Sequence, residues 1–239
     1  MSALFISDLH LAPERPAVSR AFFDFLVTRA PRSEKLFILG DLVEAWVGDD
    51  DPHPLTREIV RGLRDVAGKG VALYFLHGNR DFLVGRRFAR ETGSILLPDY
   101  HRTEIGGRTL LLCHGDTLCV DDADYQKFRR RVRNPLVRWG LTHLPLKTRQ
   151  RIAAGWRRKS AAINSNKPAN IMDVNDDEVE KVLADYDADI LIHGHTHRPG
   201  RHRHANGERI VLGDWHDQGW YVRADGDGIE LQSFPLPGD

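Results

Sequence analysis

The chain has 239 residues, 41% apolar and 28% charged, a globular composition that excludes fibrous and disordered classes. No run of about 18 uncharged apolar residues occurs, so no membrane-crossing helix is expected. The first residues enter an apolar run without a basic leader, so no signal peptide is expected either.

The formal net charge of zero hides an asymmetry. Residues 126–170 carry 13 Lys and Arg and no Asp or Glu, which leaves 21 basic against 34 acidic residues elsewhere. The acidic body is expected to spend carboxylates on cations, and the basic block to need an anionic partner or surface. Cys113 and Cys119 are the two cysteines and form no C-x-x-C pair, so both read as reduced thiols.

In chain order, residues 3–7 and 35–39 read as strands. Between them, residues 16–29 place Val18, Phe22, Phe25 and Leu26 at helical spacing. Residues 55–68 read as a second helix, with Ile59, Val60, Leu63 and Val66 on one side, and 71–76 as a strand. Residues 108–113 form another strand, 177–186 a helix and 189–192 a strand. Runs at 209–212, 219–222 and 228–231 read as antiparallel strands. The βαβα order implies a sheet with helices on its faces, an α/β fold. Residues 122–170 interrupt this pattern with helical periodicity broken at Pro135 and Pro145, and read as a helical insertion over the mouth of a site within one 1–239 domain.

Five short motifs each follow an apolar run: Asp8-Leu9-His10, Gly40-Asp41, Gly78-Asn79-Arg80-Asp81, His114-Gly115-Asp116 and Gly194-His195-Thr196-His197. In an open α/β sheet functional groups gather at the C-terminal strand ends. Asp, Asn and His collected there are what a two-metal phosphoesterase centre requires. If the backbone is extended, Asp8 and His10 point to one side and share a metal, and His195 and His197 face one cavity. Asp41 can bridge two ions. The glycines at 40, 78, 115 and 194 let backbone approach the ions closely. Imidazole with carboxylate and amide oxygen suits Mn, Fe or Zn better than Mg. Asp81 and Asp116 read as groups that orient ligands, and His193 as structural, since the ligand set is filled without it.

These motifs resemble the calcineurin-like metallophosphoesterase pattern over roughly residues 3–200. More narrowly, residues 5–11, 40–51, 77–82, 114–119 and 193–199 resemble the UDP-2,3-diacylglucosamine hydrolase family of lipid A biosynthesis in Gram-negative bacteria. The resemblance implies a sandwich of two mixed β-sheets flanked by helices. It implies two Mn²⁺ ions, the first held by Asp8, His10, Asp41 and His197, the second by Asp41, Asn79, His114 and His195. Asp41, Asn79, Arg80 and His114 would be catalytic. Asn79, Arg80, Asp122, Ser160, Asn164, Lys167 and His195 would contact an acylated UDP-sugar, whose pyrophosphate is cleaved to UMP and 2,3-diacylglucosamine 1-phosphate. The protein would work in the cytoplasm, peripherally bound to the anionic face of the inner membrane, with no nucleic acid and no obligate protein partner.

Arg80 stands where many phosphoesterases of this superfamily have His. Arginine cannot donate a proton usefully at neutral pH, so the leaving group should need none, as a sugar phosphate does not. A broader phosphodiesterase or nuclease, and a non-catalytic scaffold, are the other readings. In the insertion, Phe128, Leu136, Trp139, Leu141, Leu144, Ile152 and Trp156 are expected to line an acyl pocket, and the basic residues, 129–133 among them, to face the diphosphate or a membrane surface.

Overall fold

A computed structural model describes residues 2–164 and 173–237. Strands β1 (Ala3–Ile6), β2 (Lys35–Ile38) and β3 (Ala72–Phe75) pair in parallel, joined by helices α1 (Pro16–Thr28) and α2 (Pro54–Gly68). Each helix has proline in its first turn, where the missing N–H costs nothing. After α3 (Arg86–Thr92), β4 (Ile95–Leu96) extends this sheet. Strands β5 (His101–Ile105) and β6 (Arg108–Leu112) form a hairpin in a second sheet.

Helices α4 (Ala123–Arg133), α5 (Pro135–His143) and α6 (Leu146–Asn164) follow, then α7 (Asp176–Asp185) and β7 (Ile190–His193), which runs parallel to β6. Strands β8 (Gly200–His204) and β9 (Gly207–Val211) complete the second sheet, and β10 (Gln218–Asp225) and β11 (Gly228–Pro235) return to the first. The orders are β11-β10-β1-β2-β3-β4 and β5-β6-β7-β9-β8.

Strand alternation builds the layers. Phe5, Phe37, Leu110, Leu112, Ile190, Ile192 and Ile210 meet between the sheets. Leu4, Ile6, Leu36, Ile38, Leu73 and Phe75 point the other way, onto Val18, Phe22 and Phe25 of α1 and Ile59, Leu63 and Val66 of α2. Leu111 and Leu191 pack on Val179, Val182 and Leu183 of α7. Both faces of β1 are therefore buried, which is why it reads as an unbroken apolar run.

The tail differs from expectation at 209–212. That segment, β9, lies parallel to β7 as well as antiparallel to β8. Its neighbour β8, Gly-Arg-His-Arg-His, is a polar edge strand with no apolar alternation to announce it. Strand β5 is also a largely polar edge, and α3 and β4, of seven and two residues, are too short to show a period. In the insertion, Pro135 opens α5 under an Asn134 cap and Pro145 immediately precedes α6, so each proline starts a new helix.

Candidate metal centre

Strands β1, β2, β3, β6 and β7 end at one edge of the sandwich, and every motif leaves such an end. His10 Nε2 lies 3.3 Å from His197 Nε2, 3.9 Å from Asp8 Oδ1 and 3.9 Å from Asp41 Oδ2, while His197 Nε2 is 3.3 Å from Asp8 Oδ1. Beside this group, Asn79 Oδ1 lies 3.0 Å from both His114 Nε2 and His195 Nδ1, and His114 Nε2 is 3.8 Å from Asp41 Oδ2. Asp41 thus belongs to both groups through Oδ2, while its Oδ1 accepts from the Arg80 N–H at 2.8 Å.

The loops do not take the extended backbone that the i, i+2 spacing suggests. Asp8, His10, Asp41, His195 and His197 all have φ between 49° and 67°. Among the described residues they are five of the six non-glycine residues with positive φ. Such backbone costs about 1–3 kcal/mol per residue and persists where surroundings over-determine it, commonly at functional sites. The glycines make room at the candidate ligands. A Cβ on Gly194 would fall 1.9 Å from Asp8 Oδ2, and one on Gly78 would fall 2.1 Å from Asp41 Oδ1. They let the loops approach each other's carboxylates.

The donor set fits divalent cations. Asp8 Oδ2 accepts from Ser7 Oγ at 2.6 Å and from the His195 N–H at 2.8 Å, but buried Asp8 Oδ1 has no hydrogen-bond partner among the described residues. His114 Nδ1 is 2.9 Å from the Leu39 carbonyl, so in that tautomer its Nε2 lone pair faces the Asn79 carbonyl oxygen, two acceptors toward one point. Burial pushes His10 down, but Glu44, Asp41 and Asp8 outweigh it and raise the ring to about 9. Burial works against charged His114 and His197 too, yet the surrounding carboxylates raise both. The carboxylates demand positive charge at this centre, which a divalent cation satisfies better than protons.

The family model for calcineurin-like phosphoesterases matches residues 1–199. The chain belongs to that family. It is 48% identical over 240 residues to proteins named UDP-2,3-diacylglucosamine hydrolase in Yersinia pseudotuberculosis serotype O:1b and in Yersinia pestis bv. Antiqua, covering 99% of this chain and 100% of each relative. A solved archaeal phosphodiesterase superposes with a TM-score of 0.52 at 13% identity, covering 99% of this chain and 100% of that one, a likeness of fold.

In this phosphoesterase several groups around the centre escaped the sequence reading. Glu44 Oε2 lies 3.4 Å from His10 Nδ1, and Asp214 Oδ2 lies 3.5 Å from His197 Nδ1. Each carboxylate sits behind an imidazole that presents Nε2 to the centre, the arrangement that fixes ring orientation in metal sites. Asp214 had a signal: Val211-Leu212-Gly213-Asp214 after β9 repeats Ile38-Leu39-Gly40-Asp41 after β2. Asp81 accepts from the Leu42 and Gly78 N–H groups at 2.9 and 2.7 Å, and burial with the nearby Asp41 charge raises it to about 7. His193 is buried, with Nδ1 2.8 Å from the Gly194 carbonyl; burial depresses it to about 3.

The expected substrate contacts are placed less completely. Asp122 accepts from the Tyr125 N–H at 3.1 Å as the cap of α4. Glu44, Arg80, Ala154, Arg157 and Arg158 line a cavity of about 350 Å³ between the metal loops and α6. Ser160 follows Arg157 by three residues, on the same helix face. The Asn164 side chain and Lys167 lie outside the described residues.

The basic insertion does not face outward throughout. The Arg129 and Arg133 side chains are only 11% and 13% exposed: Arg129 pairs with buried Asp116 and exposed Asp99, and Arg133 stands 3.9 Å from each of those carboxylates. Leu141 and Trp156 pack against the main core rather than standing free for a ligand. Leu136 and Trp139 are 79% and 64% exposed.

Proposed function

We propose that this phosphoesterase hydrolyses the pyrophosphate of UDP-2,3-diacylglucosamine, using two Mn²⁺ ions and releasing UMP and 2,3-diacylglucosamine 1-phosphate. The observation that carries the reading is the pair of ligand groups sharing Asp41, with Arg80 beside them on the rim of the cavity. The full-length relatives bearing that enzyme name support the choice of substrate.

Asp8, His10, Asp41 and His197 would hold one cation, and Asp41, Asn79, His114 and His195 the other. Bound divalent cations supply acidity to water near neutral pH and charge against the phosphoryl oxygens. Glu44 Oε1 stands 3.4 Å from Arg80 Nη1 and keeps that guanidinium at the cavity edge. There Arg80, with Asn79, would neutralise charge that grows as water adds to the α-phosphorus. Arg80 holds its proton, and the sugar 1-phosphate leaves without needing one. Asp122, Ser160, Asn164, Lys167 and His195 would contact the rest of the substrate.

Phe128, which meets Trp156 edge-on at 5.3 Å, is itself 39% exposed and offers an apolar surface suited to acyl chains. Among the described residues no helix is long and apolar enough to cross a membrane. Exposed Leu136 and Trp139, with exposed Lys127, Arg130 and Arg131, suit peripheral contact with the anionic cytoplasmic face of an inner membrane.

The test compares turnover of UDP-2,3-diacylglucosamine with that of bis-p-nitrophenyl phosphate under Mn²⁺, Mg²⁺ and Zn²⁺. The expected result is strong preference for the lipid substrate and for Mn²⁺. Comparable rates on both substrates would favour a general phosphodiesterase.

A further inference from the structure

Helix α4, which opens the insertion, turns a polar stripe inward. Tyr125, Arg129 and Arg133 recur every four residues and so share one face. Asp116 Oδ2 accepts from Tyr125 OH at 2.8 Å and from Arg129 Nε at 2.7 Å, and Arg129 Nη2 also reaches Asp99 at 2.9 Å. Gln126 Nε2 donates to the carbonyls of Asp116 and Cys119 at 2.7 and 3.0 Å. Arg133 reaches further. Its Nη2 donates to the carbonyls of His77 and Gly78 at 3.1 and 2.8 Å and stands 3.9 Å from Asp116 Oδ2.

The Gly78 carbonyl belongs to the peptide that carries Asn79. On the other side, the Gly78 N–H donates to Asp81 Oδ1 at 2.7 Å. Gly78 is thus held through both of its polar groups, the N–H by a carboxylate and the carbonyl by a guanidinium. Held in this way, Asn79 places Oδ1 3.0 Å from His114 and from His195. A guanidinium this buried is costly unless its donors are used, and Arg133 uses them on backbone, not on an anionic ligand.

We propose that Arg133 is a positioning residue for the second cation: by clamping the His77 and Gly78 carbonyls it fixes Asn79, and it makes α4 part of the frame of the cation centre. The proposal rests on the two-cation reading above.

The test is calorimetric titration of Mn²⁺ into the full chain, stripped by chelation, for the wild type, R133A, R133K and R130A, with melting temperatures for each. Arg130 is an exposed neighbour on α4. The wild type is expected to bind two cations. R133A should weaken one of them by about 10–100-fold, the usual effect of losing a group that orients a ligand, and leave the other nearly unchanged. R133K, whose ammonium can still meet a carbonyl, should recover part of the loss, and R130A should match the wild type. Two wild-type affinities in R133A would overturn the proposal. So would equal weakening of both sites with a lower melting temperature that R133K fails to restore, since Arg133 would then only support the fold. Fewer than two cations on the wild type would overturn the two-cation reading and the proposal together.

Discussion

Glu44 Oε2 faces His10 Nδ1 at 3.4 Å, and through its other oxygen the same carboxylate holds Arg80. One side chain thereby sets the orientation of a candidate metal ligand and the place of a candidate phosphate-binding guanidinium. Glu44→Gln keeps the shape and removes the charge. It should lower kcat by about 10–100-fold, as for other groups that orient a metal-bound imidazole, with little change in melting temperature. Steady-state kinetics beside thermal unfolding checks this.

Asp41→Asn removes an anion that lies within 4 Å of a histidine in each ligand group. The loss of rate should exceed the ~10–100-fold attached to an orienting group, and cation titration should show one site lost or both merged. A variant that keeps most of its rate and both cations would remove Asp41 from the centre.

Cation uptake should depend on pH in a definite direction. His10 is raised to about 9 because Glu44, Asp41 and Asp8 outweigh burial. A cation must displace that proton, so affinity should rise from pH 7 to about 9, up to about tenfold per unit for each proton released, and flatten above. Titration in buffers of different ionisation enthalpy counts the protons. Affinity independent of pH across this range would contradict the assignment of His10 as a ligand.

Arg149 on α6 closes a double contact on Asp50 at 2.6 and 2.5 Å and donates to the Val47 and Leu144 carbonyls. Gly48 leaves room for it, since a Cβ there would fall 2.1 Å from Arg149 Nη1. This contact ties the start of α6 to the loop that carries Glu44. Asp50→Ala leaves a buried guanidinium short of an acceptor and should cost about 1–3 kcal/mol in stability. KM should rise more than kcat falls, because α6 carries Arg157 and Ser160 over the cavity and does not carry the metal ligands.

The candidate metal centre was legible because the residues that would line it are polar residues punctuating apolar runs, at Asp8, Asp41, Asn79, His114 and His195. Each strand end is fixed by local pattern, and only the sandwich was needed to bring the ends together. Glu44 was not legible, since its partner His10 lies 34 residues away and nothing local distinguishes it from a surface glutamate. The insertion misled for a related reason. Charge density in 126–170 is a composition signal, and composition cannot separate Arg133, spent on backbone carbonyls, from exposed Arg130 on the same helix. The backbone at Asp8 and His10 was also beyond reach, because an i, i+2 spacing fits an extended strand and a left-handed loop equally well.

In the proposed reaction water attacks the α-phosphorus of a UDP-linked acylated sugar. Hydrolysis of UDP-2,3-diacylglucosamine in ¹⁸O-water with Mn²⁺, followed by mass spectrometry of both products, tests it most directly. The expected result is ¹⁸O in UMP, none in the sugar phosphate, and loss of turnover on chelation. Label in 2,3-diacylglucosamine 1-phosphate would contradict the proposed point of attack, and absence of turnover would contradict the proposed substrate.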